Sequence, residues 1–110
     1  MKSDRASSNA NISMLILSVL ADGPLHGYGI AREIERRSGH QISPGEGALY
    51  PALRNLETDG CVVASWQTQD NGPARKVYAL TINGVDDLND RARSWRGYVD
   101  AVESVIARPA

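Results

Sequence analysis

The chain has 110 residues, of which 42% are hydrophobic and 5% are aromatic, and it contains no phenylalanine. This composition indicates one soluble globular domain with a small aliphatic core, a size at which oligomerisation commonly adds stability. The formal net charge of −1 excludes a global attraction to polyanions, so nucleic-acid binding would need local basic clusters. The single Cys61 excludes an internal disulfide, and no apolar run is long enough to span a bilayer. We therefore expect a cytoplasmic protein with no membrane contact.

The N-terminal segment, residues 1–10, is polar and has no apolar periodicity, so we interpret it as a mobile arm. Its Lys2 and Arg5 are candidates for phosphate contacts, although a frayed chain end is the simpler interpretation. An amphipathic helix is predicted from Asn11, and Asp22-Gly23-Pro24 ends it. Its apolar stripe consists of Ile12, Leu15, Ile16, Val19 and Leu20. Two apolar residues off that stripe, Met14 and Leu17, suggest a second contact, plausibly with another subunit.

A glycine-punctuated connection over residues 25–29 leads to a second predicted helix, which begins near Ile30 and is capped by Gly39. His26 and His40 are each interpreted as hydrogen-bonded structural residues, because a lone histidine beside glycine turns is seldom a base or a metal ligand. Gln41 and Ile42 then lead directly to a third helix. Two helices joined by a short turn are in helix-turn-helix order.

The third helix is predicted to begin with Ser43 as its cap, because Glu46 follows three residues later and Pro44 suits the first helical position. Pro51 lies too deep for that start, since it cannot donate a backbone hydrogen bond to the carbonyl of Gly47. Either the helix bends at Pro51 or its regular part begins nearer Glu46. Both alternatives keep Leu49, Leu53 and Leu56 on one apolar stripe facing the core.

A second stripe of this helix faces away from the leucines and is available for a partner. It carries a small residue, an aromatic residue and two charged residues, namely Gly47, Tyr50, Arg54 and Glu57. Arg54 is the only basic residue on that face.

Two strands and a tight turn follow the third helix. Residues 61–68 and 74–80 are rich in β-branched and aromatic residues. Between them lies Asp70-Asn71-Gly72-Pro73, a run of residues that favour tight turns. A hairpin directly behind a helix-turn-helix is a wing. Arg75 and Lys76 are predicted at its tip, where they could contact a phosphate or the minor groove.

A long C-terminal helix is predicted from Thr81, its N-cap, to about Ile106. Its apolar residues recur at alternating steps of three and four, a pattern that favours a partner helix, and they are Val85, Leu88, Ala92, Trp95, Val99, Val102 and Ile106. We interpret this seam as a homodimer interface; packing on its own subunit alone is the alternative. Trp95 at mid-seam is either a large core residue or a wall for a flat apolar effector.

Three blocks resemble the PadR family of bacterial transcriptional regulators: G-P-L-H-G-Y-G-I at 23–30, A-L-Y-P-A-L-R-N-L-E-T-D-G at 48–60, and G-P-A-R-K-V-Y-A-L-T-I-N-G at 72–84. They occur in the family's order and span nearly the whole chain, from about residue 12 to 106. The short C-terminal part resembles the compact subfamily with a single terminal helix. The sequence departs from the family pattern at two places, which are Pro44-Gly45-Glu46 before the second block and Ile82-Asn83 after Thr81. These departures bear on the operator sequence rather than on the fold.

The resemblance implies a winged-helix homodimer that usually represses transcription from inverted-repeat operators with ATGT and ACAT ends, often under control of a small ligand. Carried over by position, the helix that begins at Ser43 is the recognition helix and includes Gly47, while Tyr50 and Arg54 face DNA. Tyr28 either faces backbone phosphate or packs under that helix. The wing contact comes from Arg75 and Lys76.

The sequence thus predicts a mainly α fold with a small β-hairpin, organised as an arm (1–10), a winged helix-turn-helix (11–81) and a dimerisation helix (82–107). Arg32 or Arg36 are expected to add phosphate contacts to those of the wing and arm. The predicted function is that of a dimeric operator-binding regulator, with an aromatic or apolar effector as a further hypothesis. A winged-helix protein-interaction module without its own operator is the alternative. No metal, cofactor or catalytic site is expected, because no nucleophile–base pair, metal-ligand spacing or phosphate-binding loop is present.

Overall fold

The computed structural model describes residues 2–107, with side chains described from residue 11 onward. In this part of the chain, the fold consists of four helices and a small three-stranded sheet, which confirms the predicted mainly α fold. The elements are α1 (Lys2–Leu20), β1 (Leu25–His26), α2 (Gly27–Arg37), α3 (Glu46–Thr58), β2 (Val62–Gln67), β3 (Arg75–Leu80) and α4 (Ile82–Ile106).

Helix α1 is the centre of the fold, because it packs against α2, α3 and α4. The largest completely buried side chains come from the first three helices and are Ile16, Leu17, Ile30, Leu49, Leu53 and Leu56. Leu17 was predicted to make a second contact, plausibly with another subunit. It makes that contact within its own chain, because a helix with neighbours on several sides buries more than one stripe.

The start of α1 differs from the prediction. The helix begins at Lys2 rather than Asn11, so the backbone of residues 2–10 continues α1 where the sequence suggested an arm without regular structure. No glycine or proline precedes Gly23, and the alanine, lysine and arginine of this segment favour helix without needing an apolar stripe.

The sheet has one strand more than the predicted hairpin. The order is β1-β3-β2, with all neighbours antiparallel, and the short β1 pairs Leu25 with Tyr78 and His26 with Val77. Residues 25–29 were predicted to be a connection without a strand, so β1 is an addition to the predicted fold. The predicted hairpin itself is confirmed, with β2 and β3 in register from Val62 opposite Leu80 to Gln67 opposite Arg75.

Helix α3 begins later than the capping pattern indicated. Its N-cap is Gly45, without a side-chain cap, and the Ser43 hydroxyl instead donates to Glu35 Oε2 at 2.6 Å. Of the two predicted alternatives, the start near Glu46 is the observed one. Pro51 lies inside α3, where water can satisfy the carbonyl of Gly47 because both residues are exposed.

The predicted N-cap of α4, Thr81, is confirmed, and the same residue also ties the helix to the segment that follows α3. Thr81 caps the helix by accepting a hydrogen bond from the backbone N–H of Gly84 at 3.0 Å, and its hydroxyl donates to the carbonyl of Gly60 at 2.6 Å. Leu88 packs against the core, whereas Val105 and Ile106 near the other end are 72% and 66% exposed. The first half of α4 therefore belongs to the winged-helix core, and its end projects beyond it.

Among residues 2–107, no helix is long and apolar enough to cross a membrane.

Candidate nucleic-acid interface

The outward stripe of α3 is exposed in the structure. Leu49, Leu53 and Leu56 are buried, and this fixes the rotation of the helix about its axis. The four residues of the outward stripe are Gly47, Tyr50, Arg54 and Glu57, all exposed. The buried leucines therefore hold α3 against the core, and the opposite face of the helix presents the guanidinium group of Arg54 to solvent.

Helix α2 adds an aromatic side chain and a cation to the same region. Tyr28 is 63% exposed, so of the two predicted placements it faces outward and does not pack beneath α3. The guanidinium carbon of Arg32 lies 5.7 Å from the centroid of the Tyr28 ring, within the range of a cation–π contact.

A groove of about 550 Å³ separates these groups from the start of α3. Tyr28, Arg32 and Glu35 line its α2 side, and Pro44, Glu46 and Tyr50 line its α3 side. The groove brings together Tyr28 and Tyr50, which the sequence placed on two different helices.

The other arginines of α2 are engaged by acidic groups. Glu33 binds Arg36 in a bidentate pair at 2.8 and 2.7 Å and also accepts from Arg37 Nε at 2.9 Å. These hydrogen bonds, first from Arg36 and then from Arg37, lower the pKa of Glu33 to about 2. Of the two predicted phosphate ligands on α2, Arg32 is therefore better placed than Arg36, whose donors already have a carboxylate partner.

Ser43 is tied to α2 rather than directed away from the chain. Its hydrogen bond, followed by that of His40, lowers the pKa of Glu35, and His40 Nδ1 lies 3.4 Å from the other carboxylate oxygen. The Ser43 hydroxyl thus helps to position the loop before α3.

The two basic residues of the wing are placed differently. Arg75 is exposed and pairs with Gln67 beside the turn, at the tip of the hairpin. Lys76 was predicted at the tip, but its ammonium lies 3.5 Å from Glu57 of α3 and 5.5 Å from the centroid of the Tyr78 ring. Strand alternation places Lys76 on the face that packs against the core, so it is partly buried.

Trp66 is an exposed residue of the wing that was predicted only as part of a strand. It lies opposite Lys76 in the β2–β3 register and is 70% exposed. Its pairing with a lysine in the hairpin is the sequence signal that could have identified it.

The seam of α4 remains partly open in the single chain. Trp95 is 42% exposed and lines a groove of about 580 Å³ with Met14 of α1 and Tyr98. The rings of Trp95 and Tyr98 are 6.3 Å apart between centroids. Met14, predicted to make a second contact, therefore faces α4 and this groove.

Several proteins of known sequence or structure are similar to this chain. An uncharacterised protein of transposon Tn4556 from Streptomyces fradiae is 59% identical over 81 residues, which cover 74% of this chain and 22% of that protein. The chain thus spans only about a fifth of that relative. The transcriptional regulator Rv3488 of Mycobacterium tuberculosis is 37% identical over 90 residues, which cover 82% of this chain and 80% of the regulator.

The negative transcriptional regulator PadR of Bacillus subtilis is 31% identical over 75 residues, which cover 68% of this chain and 41% of PadR. Its structure in complex with operator DNA matches with a TM-score of 0.66 at 29% identity, over 73% of this chain and 45% of that one. The model of the transcriptional regulator PadR-like family matches residues 16–90, which include the groove, α3 and the wing. The chain belongs to the PadR-like family of transcriptional regulators.

Proposed function

We propose that this regulator is a homodimer that binds an inverted-repeat operator through α3 and the wing and represses transcription in the cytoplasm. The observation that carries the proposal is the outward Arg54, held on a helix whose opposite face is buried through Leu49, Leu53 and Leu56. Exposed groups on both flanks, Arg32 on α2 and Arg75 at the wing, extend the same surface. A helix of this kind enters the major groove in many helix-turn-helix proteins.

The relatives support the direction of regulation. The Bacillus subtilis PadR is named a negative regulator, and its structure was determined with operator DNA. We extend repression and operator binding from that protein to this chain as parts of the proposal.

The charges of this surface determine how binding should depend on base sequence and salt. A bidentate arginine–guanine contact contributes about 1–3 kcal/mol of discrimination, and Arg54 is the basic side chain on the outward stripe. The surface also carries Glu46 and Glu57, which repel phosphates. Phosphate contacts by Arg32 and Arg75, together with any from Lys2 and Arg5, must then supply much of the affinity, and binding should weaken steeply with salt.

Arg54→Ala is expected to reduce the preference for operator over random DNA by roughly 5- to 150-fold, the equivalent of about 1–3 kcal/mol. The measurement is fluorescence anisotropy with the DNA upstream of the gene, at low and moderate salt, with random duplex as competitor. Arg93→Ala is the matched control, because Arg93 is an exposed arginine on α4 that pairs with Asp90 at 3.0 Å.

An Arg54→Ala protein with unchanged preference would show that another face reads the bases. If the wild-type protein binds both DNAs equally weakly at every salt concentration, the alternative of a protein-interaction module is favoured. The net charge of −1 is the observation that supports this alternative.

We also propose that the groove beside Trp95 admits a planar apolar effector that modulates repression. Its walls combine the thioether of Met14 with the rings of Trp95 and Tyr98, and both kinds of group bind flat aromatic molecules well. The groove adjoins the seam of α4, so an occupant there could alter how two subunits meet.

A protein with the Trp66→Phe substitution retains Trp95 as its one tryptophan and makes the groove observable by fluorescence. Planar aromatic compounds are expected to quench its emission saturably and to weaken operator binding over the same concentration range. Tyr98→Ala should reduce the quenching, whereas Tyr28→Ala, remote from the groove, should not. An absence of saturable quenching across a broad panel of compounds would count against the groove as an effector site.

A further inference from the structure

The exposed Tyr50 of α3 rests on the backbone of α2. Although Tyr50 is 40% exposed, its hydroxyl end lies against Gly27, the first residue of α2. A Cβ atom on Gly27 would lie 2.7 Å from Tyr50 Oη, 2.9 Å from Cε1 and 3.0 Å from Cζ. Such separations are shorter than van der Waals contact, so the ring occupies the space that any side chain at residue 27 would need.

The glycine is explained by this contact and not by backbone conformation. Gly27 is buried, and its φ lies outside the left-handed region that favours glycine. An alanine could therefore adopt the backbone conformation of Gly27, which is the first residue of a helix. A larger residue would instead require the ring of Tyr50 to shift, because the ring lies across the interface between the helices.

The contact determines where the ring of Tyr50 stands on the proposed DNA surface. Tyr50 lines the groove shared with Tyr28 and Arg32, and Arg54 follows it one turn later on the same outward stripe. A side chain at residue 27 would drive the ring away from α2, toward the space that the DNA is proposed to occupy. Binding groups act best when neighbouring contacts hold them in one position.

We propose that Gly27 is a positioning residue for base reading, because its missing side chain lets Tyr50 lie against α2 and leaves the outward face of α3 open to the major groove. This inference rests on the proposed operator binding. It assigns to Gly27 a role that acts through Tyr50 and involves no contact with DNA by Gly27 itself.

The test is a double-mutant cycle of Gly27→Ala and Tyr50→Ala, measured as affinity for operator and for random duplex. Gly27→Ala is expected to weaken operator binding tenfold or more and random-duplex binding by less than threefold. In the Tyr50→Ala background the same substitution should change operator affinity by less than twofold, because the obstructing ring is gone. Gly97→Ala is the control, since a Cβ at Gly97 meets no atom within 4 Å.

Three results would overturn the inference. They are an unchanged operator affinity of Gly27→Ala, an equal loss on both DNAs, or a loss of the same size when Tyr50 is already alanine. If Gly27→Ala does not fold, Tyr50→Ala must restore its thermal unfolding transition, and failure to restore it is a fourth contrary result. A wild-type protein without operator preference would refute the proposed function together with this inference, whereas the other outcomes leave the proposed function intact.

Discussion

If the proposed dimer forms through the α4 seam, Val99→Asp is expected to convert it into a monomer and to lower operator affinity by at least a hundredfold. Val99 lies at mid-seam on α4, next to the partly exposed Trp95, and two-fold symmetry would introduce two carboxylates into one apolar interface. Burying a carboxylate without a partner costs several kcal/mol. A monomer binds only one half-site and loses the gain from binding both halves of an inverted repeat together.

Analytical ultracentrifugation and operator anisotropy measure the two effects in the same samples. Ser104→Asp is the matched control, because Ser104 is exposed and lies on the side of α4 opposite the seam. A Val99→Asp protein that remains dimeric, with unchanged affinity, would place the subunit contact elsewhere on the chain. A control protein that also dissociates would point to net charge on α4 as the cause.

Gly84→Ala is expected to destabilise the fold by about 3 kcal/mol or more, the upper range for overpacking a well-packed site. A Cβ on Gly84 would overlap the carbonyl oxygen of Cys61 and lie 2.6 Å from Leu80 Cδ1. The side chain of Leu80 can shift, but the carbonyl of Cys61 already accepts the backbone N–H of Thr81 at 3.1 Å. The start of α4 would therefore have to move away from Cys61, which would weaken the Thr81 cap.

Urea unfolding followed by circular dichroism measures this difference. The control is again Gly97→Ala, where an added methyl group meets open space and should stabilise the helix by up to about 1 kcal/mol. If Gly84→Ala unfolds at the wild-type urea concentration, the close approach of α4 to Cys61 described above is incorrect.

Features that depend on local repetition could be predicted from the sequence. The leucines of α3 repeat at helical spacing and are buried, and the turn residues between β2 and β3 separate two β-rich segments as predicted. The Thr81 cap also follows from adjacent residues alone. Each of these features is determined by residues close together in the sequence, so it can be predicted without knowledge of the rest of the fold.

Features that depend on distant partners could not be predicted in this way. The two residues of β1 are too few for a periodic signal, and they become a strand because β3 offers a free edge. Ser43 has the spacing of a capping box, but Glu35 of the preceding helix takes its hydroxyl. Lys76 likewise faces Glu57 across the interface between the wing and α3.

The central position of β3 has a mechanical consequence. Because β3 bonds to β2 on one side and to β1 on the other, and β1 leads directly into α2, a pull on the wing passes through the backbone to the start of α2. The first residue of α2 is Gly27, against which the Tyr50 ring lies. The wing and the start of α2 are thus joined through β3, so in the proposed operator complex a bend of the duplex at the wing would be transmitted to the helix pair.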